Sequence, residues 1–122
     1  MSTTEQTTFD VEALRRGIEE RDAATLSALY TDDAELQIVD SVNSPSAPRI
    51  LRGSAIGAYL DDIAARDMTH SLDRVVVTGD HVAYMESCRY PDGTRVLCAA
   101  VLDLAGGRIS RQLGVQAWDG AR

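Results

Sequence analysis

The stretch Glu20–Asp40, ERDAATLSALYTDDAELQIVD, constrains this chain most, because two different periods follow one another with almost nothing between them. Leu26, Leu29 and Tyr30 share one helical face at i, i+3 and i+4, which predicts a helix over 23–31. Asp32-Asp33 ends it, since a short carboxylate competes for nearby backbone N–H groups. Ala34, Leu36 and Ile38 then alternate with Glu35, Gln37 and Val39, the period of a strand over 34–40.

The remaining punctuation extends this pattern. Asp10 is placed to cap a helix over 10–21 whose apolar stripe is Val11, Leu14 and Ile18. Ser41–Arg49 is a loop rich in proline and serine, and Ile50-Leu51-Arg52 is a short strand before Gly53. Ser54 is expected to cap a third helix that buries Ile56, Tyr59, Leu60 and Ile63. Four strands follow, over 69–78, 81–90, 95–104 and 108–118. They are joined at Gly79-Asp80, at Pro91-Asp92-Gly93 and at Gly106-Gly107, each suited to a hairpin turn. Helices followed by a hairpin-linked meander give an α+β domain over 10–119 with one curved sheet. Residues 1–9 and 120–122 are expected to be tails, the first disordered.

Composition narrows the partners. A net charge of −7 argues against nucleic acid, which needs clustered cations, and against an anionic membrane surface. All 12 basic residues are arginine, read as GC-rich bacterial coding and not as a site. No apolar run approaches the ~20 residues of a membrane span, and the polar N-terminus lacks a signal-peptide pattern, so a cytoplasmic protein is expected. Cys88 and Cys98 are too few for a disulfide framework and read as buried thiols in a reducing compartment.

The order helix, helix, strand, Gly53-x-x-Ile56 helix and four hairpin-linked strands, closing on GGRISRQ and a late Trp118-Asp119, resembles the nuclear-transport-factor-2-like superfamily. That superfamily includes ketosteroid isomerases and SnoaL-type polyketide cyclases. The resemblance implies a cone whose bent sheet the helices cannot fill, leaving an apolar cavity for a small molecule. It covers nearly the whole chain, and its specificity lies in order and spacing, not in one motif. Outward positions of the 95–104 strand are expected to include Cys98, Ala100 and Leu102, an apolar face that implies a homodimer through the sheet.

The resemblance also tests a chemistry. The isomerases use a carboxylate base with a Tyr and a protonated Asp as an oxyanion hole. A gapless match puts the Tyr at Leu14, the base at Ile38 and the Asp at Ala99, so all three polar groups are absent. Asp40, two residues on from Ile38, replaces the base only if the strand end curls inward. The alternative is that it begins a solvated loop. An epoxide-hydrolase arrangement fails as well, because its last-strand Asp would fall near Gly114.

What remains is a set of candidates. In the last strand Gln112, Gly114, Gln116 and Trp118 share a face that the family registration turns toward the cavity, where the amides would orient a carbonyl or hydroxyl. Their alternative is a partly solvated face. His70, on a face with Leu72, Arg74 and Val76, is the candidate proton-transfer group, or else a satisfied structural histidine. His81 is expected in a turn, and the two histidines do not make a metal site. Tyr30 and Tyr59 sit on buried helix faces, where each hydroxyl needs a partner. Ile38, Leu97 and Ala99 are expected as apolar lining. Asp103 is placed either inward at the rim or at a solvated strand end.

Strand 81–90 leaves its parity open: Met85 and Ser87 face inward, or else Tyr84 and Glu86 do, and a buried Glu86 would be the best general base of all. With no nucleotide, metal or nucleophile-elbow motif, and no His near either Cys in sequence, the enzymatic reading is cofactor-free cyclisation, isomerisation or dehydration. Two other readings stand beside it: a non-catalytic binding module, and an interaction domain with a vestigial cavity.

Overall fold

A computed structural model describes residues 8–120. The tails expected at 1–7 and at 121–122 lie outside the described residues. Phe9, assigned by sequence to the first tail, is instead buried in the core. The first helix, α1 (Val11–Glu19), starts where Asp10 accepts the Ala13 N–H at 2.9 Å. It buries Ala13, Leu14, Gly17 and Ile18. At Arg21 the backbone turns left-handed (φ 55°), and Asp22 then caps α2 (Ala23–Ser27) through the Thr25 N–H.

The second helix is shorter than its period implied. Tyr30 opens β1 (Tyr30–Val39), which runs through Asp32-Asp33 and does not begin after them. Sheet pairing outweighs the local helical preference. The Ile109 N–H donates to the Leu29 carbonyl at 2.7 Å, and Tyr30 pairs with Ile109 in the last strand. A register shift between Tyr30 and Glu35 absorbs the aspartates on the surface.

The chain continues through β2 (Arg49–Arg52), α3 (Ser54–Ala64), β3 (Thr69–Thr78), β4 (His81–Arg89), β5 (Arg95–Ala105) and β6 (Arg108–Trp118). Ser54 is the first residue of α3, not its cap. Gly53, at φ 56°, holds the cap position and offers no side-chain acceptor. The expected turns are all present, with Gly93 at φ 92° in the β4–β5 connection.

The fold is α+β. The six strands form one sheet in the order β2-β1-β6-β5-β4-β3. Every neighbouring pair is antiparallel except β1 with β6, which makes the sheet mixed. The helices cover its concave face, and the main core joins Phe9, Leu14 and Ile18 to Leu36, Leu102 and Ile109. A smaller cluster of Met68, Cys88 and Val96 lies apart from it. Among the described residues no helix is long and apolar enough to cross a membrane.

Two parities differ from expectation. In β5 it is Val96, Ala100 and Leu102 that are buried, with Cys98 on their face, while Leu97 and Val101 are exposed. Both alternate sets are apolar, so alternation alone could not choose between them. In β3 a bulge between Leu72 and Arg74 inserts Asp73 without a partner. Beyond it Arg74 and Val76 face outward, not alongside His70 and Leu72.

Candidate functional site

A cavity of about 420 Å³ opens between α1–α3 and the concave face of the sheet. Its wall includes Leu14, Ile38 and Ala99, the three positions where the isomerase pattern expects polar groups. The inner surface therefore stays apolar at those points. Four clusters of polar side chains interrupt it.

The first joins β1, β4 and β6. The Tyr30 hydroxyl donates to Gln112 Oε1 at 2.5 Å, and Gln112 Nε2 donates to the Tyr84 hydroxyl at 3.4 Å. Each amide atom is thereby used. The Tyr84 proton has no acceptor among the described residues. Burial raises the pKa values of both phenols well above the ordinary one, reinforced for each by the Glu86 charge. Both stay neutral donors through the physiological range.

The second repeats that logic at the outer part of the wall. Trp118 Nε1 donates to Gln116 Oε1 at 3.1 Å, and Gln116 Nε2 donates to the Tyr59 hydroxyl at 3.3 Å. Among the described residues Tyr59 thus keeps an uncommitted proton over the cavity. Burial raises its pKa too, although the Gln116 bond and the Arg66 and Arg49 charges oppose the shift.

The third is ionisable and lies on β3 and β4. His70 Nδ1 is 2.8 Å from Glu86 Oε2 and 3.2 Å from Cys88 Sγ, and the Cys88 thiol reaches the same carboxylate oxygen at 3.2 Å. Both side chains of this pair are largely buried. Among the described residues Glu86 Oε1 has no hydrogen-bond partner, so one oxygen is held and the other is available in a cavity wall, and His70 Nε2 is buried without a partner. A carboxylate fixed in this way can abstract a proton, and the two phenols can donate to the charge that develops.

The same three atoms, Nδ1, Oε2 and Sγ, lie within 4.8 Å of one another, near enough to hold a soft divalent cation. The thiol argues against easy loading. Its interaction with Cys98, then burial, push its pKa upward, and a metal takes the thiolate. The same shift disfavours Cys88 as a nucleophile, even though a histidine does stand beside it in space.

The fourth cluster is the rim, where Arg49 lies 5.3 Å above the Tyr59 ring and Tyr90 stacks on Trp118 at 5.9 Å. Arg66 reaches the Tyr90 hydroxyl at 3.3 Å, and Arg21 donates to the Arg66 carbonyl at 2.5 Å.

The structure brings His70, Glu86, Tyr30, Tyr59, Ile38, Ala99, Gln112, Gln116 and Trp118 to one cavity. Tyr30 arrives there from a strand, not from a helix. Asp40 also borders the cavity, but its Oδ1 accepts the Val42 and Asn43 N–H groups and the Asn43 amide. Burial raises its pKa, yet these bonds, with the Arg49 charge, outweigh that and hold it below the usual value, so it is a loop cap and a poor base. Leu97 is displaced from the expected lining: it is 47% exposed on the convex face. Asp103 also faces outward, 3.0 Å from His81 Nδ1. Sequence reasoning passed over the rim arginines and the Cys88 contact. The arginines carried no periodic signal, and the contact depends on the β3–β4 register.

A family model described as a SnoaL-like domain matches residues 11–112. Among solved structures, an NTF2-like protein of unknown function from Mesorhizobium loti is 21% identical over 98% of each chain, with a TM-score of 0.75. One from Burkholderia xenovorans is 13% identical over 92% of this chain and 83% of its own, also at 0.75. A Kribbella flavida protein with a provisional ketosteroid isomerase name is 17% identical over 92% of this chain and 76% of its own, at 0.68. At such identities the likeness establishes the fold alone. No curated protein matches the chain.

Proposed function

The chain belongs to the SnoaL-like family, and from that premise we propose that it binds a small, largely apolar cyclic or polyketide-like molecule and moves a proton on it without a cofactor. One observation carries the reading: Glu86, fixed by His70 through one oxygen, stands in the wall of an apolar cavity that also holds the uncommitted Tyr84 and Tyr59 hydroxyls. A base and a neutral donor to the developing oxyanion suffice for enolisation. Enolisation underlies isomerisation, aldol-type cyclisation and dehydration. Glu86 takes the α-proton, His70 holds the carboxylate in place, and a phenol donates to the enolate oxygen.

Deuterium incorporation next to the carbonyl of a bicyclic ketone, 1-decalone in D₂O, tests this without knowledge of the natural substrate. The native protein accelerates exchange, and Glu86→Gln lowers the rate by on the order of 10²-fold or more. Equal exchange by both proteins sinks the role of Glu86. Decalone that binds without any accelerated exchange favours the binding-module reading, which the apolar Leu14, Ile38 and Ala99 support.

The same reading pairs two copies through the convex sheet face. Val101 is register-paired with Leu113. Val101, Leu113 and Val115 are each more than two-fifths exposed, as is Leu97 on the same face.

A further inference from the structure

We propose that the molecule received by this cavity is an acid: an apolar ring body with a carboxylate that Arg49 and Arg66 take at the mouth. The proposal rests on the ligand-binding reading above and adds the substrate's charge.

The distribution of charge motivates it. The chain as a whole is acidic, at −7, yet three arginines border the cavity against two carboxylates, Asp40 and Glu86. The arginines come from three separate places: Arg21 from the α1–α2 junction, Arg49 from β2, Arg66 from just beyond α3. Neither carboxylate forms an ion pair with them among the described residues: Asp40 spends Oδ1 on its own loop and feels the Arg49 charge only at a distance, and Glu86 is held by His70.

The individual geometries agree. Arg49 has no carboxylate within ion-pair distance among the described residues. Its guanidinium lies on the face of Tyr59, which presents a cation at the wall beside an uncommitted phenol hydroxyl. Arg66 does have a partner, Asp62 at 2.8 Å, but that carboxylate is 66% exposed. Such a solvated pair is easily exchanged for a better-desolvated one. Both guanidiniums pull the Tyr59 pKa down against its burial, so both act on the same point of the wall.

The contacts between them are continuous. Arg66 touches Tyr90, Tyr90 stacks on Trp118, and Trp118 donates to Gln116. Gln116 in turn donates to Tyr59, beneath Arg49. A planar acid passing this ring meets aromatic faces for its body and guanidinium forks for its carboxylate. Arginine suits a carboxylate through paired, parallel N–H donors. A neutral molecule of the same shape leaves the forks unused.

Binding of 2-naphthoate and of its neutral isostere 2-naphthamide, measured by calorimetry at low salt, tests the idea. Naphthoate binds the native protein about tenfold tighter than naphthamide, and raising NaCl from ~20 to ~300 mM narrows the gap. Arg49→Gln with Arg66→Gln cuts the preference to about twofold or less by weakening naphthoate more than naphthamide, whereas Arg49→Lys keeps a measurable preference. Equal affinity for the two molecules overturns the charge assignment and leaves the cavity reading intact. A preference that survives both substitutions overturns it too, since the anion then sits elsewhere. Failure of both molecules to bind overturns the cavity reading with it.

Discussion

His70 and Glu86 meet, Nδ1 to Oε2 at 2.8 Å, because one residue between them in the fold has no partner strand position. From the tight β3–β4 turn, Val77 pairs with Val82 and Val75 with Tyr84, and of these Val82, Val75 and Tyr84 pack toward the helices while Val77 stays exposed. Strict alternation would continue on β3 with Asp73, Ser71 and Thr69. The bulge at Asp73 shifts the register, so Leu72 and His70 turn inward instead. The candidate proton-transfer pair is thus a product of a bulge.

Asp73 is held by that bulge's own contacts. Ser71 Oγ donates to it at 3.1 Å, and Ser87 Oγ donates to its other carboxylate oxygen. Asp73 lies outside the cavity, so its role is positioning. Asp73→Ala is expected to cost about 1 kcal/mol in urea unfolding. It should also lower decalone exchange by about tenfold as the imidazole loses its place. The His70 ring resonances should move in the same variant, and Asp73→Asn, which keeps an acceptor, should restore both. An exchange rate unmoved by the loss of Asp73 would show that the bulge holds without it.

Gly17 makes a prediction about packing. A Cβ there would stand 2.6 Å from both Cγ and Cδ2 of Leu26, so α1 and α2 approach only because the side chain is missing. Alanine gains about 1 kcal/mol of helix propensity but forces Leu26 aside, and overpacking costs ~1–3 kcal/mol. The second effect wins, because Leu26 also borders the cavity and packs on the core. Gly17→Ala should lower stability by about 1 kcal/mol; a stabilised variant would mean that Leu26 swings away freely.

Much of this fold was legible from local signals. The Asp10 cap, the three hairpin turns and the inward Gln112, Gly114, Gln116 face each rest on chemistry confined to a few residues. The misses share another cause. Tyr30 joins a strand because a partner 79 positions away, Ile109, supplies the pairing. The β5 faces were exchanged because Cys98, Ala100 and Leu102 are as apolar as Leu97 and Val101. His70 reached the cavity, as expected, but with Leu72 alone and not with Arg74 and Val76, since a bulge is invisible to a period of two. Glu86 and Tyr84 were legible only as one of two parities.

The convex face predicts an assembly. Light scattering at micromolar concentration should give twice the chain mass, and Val101→Arg, at 55% exposure in the single chain, should return it to one chain. The thermal midpoint of the native protein should then rise with concentration, and that of the variant should not. A single-chain mass for the native protein would remove the proposed pairing.

The buried phenols predict the alkaline limb of stability. Burial raises the pKa values of Tyr30, Tyr84 and Tyr59 above the ordinary 10.0. A group whose folded value is raised contributes stability that is complete below its unfolded value and is lost as pH climbs past it toward the folded one. The loss should therefore begin near pH 10, where the unfolded chain starts to ionise, and steepen above it. Phenolate absorbance at that pH should show three tyrosines still protonated in the folded protein, released together when it unfolds. Tyr30→Phe should flatten this limb. It should also cost about 1–3 kcal/mol at neutral pH, because Gln112 Oε1 loses its only donor inside the wall. Full ionisation of all the tyrosines before any loss of structure would contradict their burial and, with it, the proposed neutral donors over the cavity.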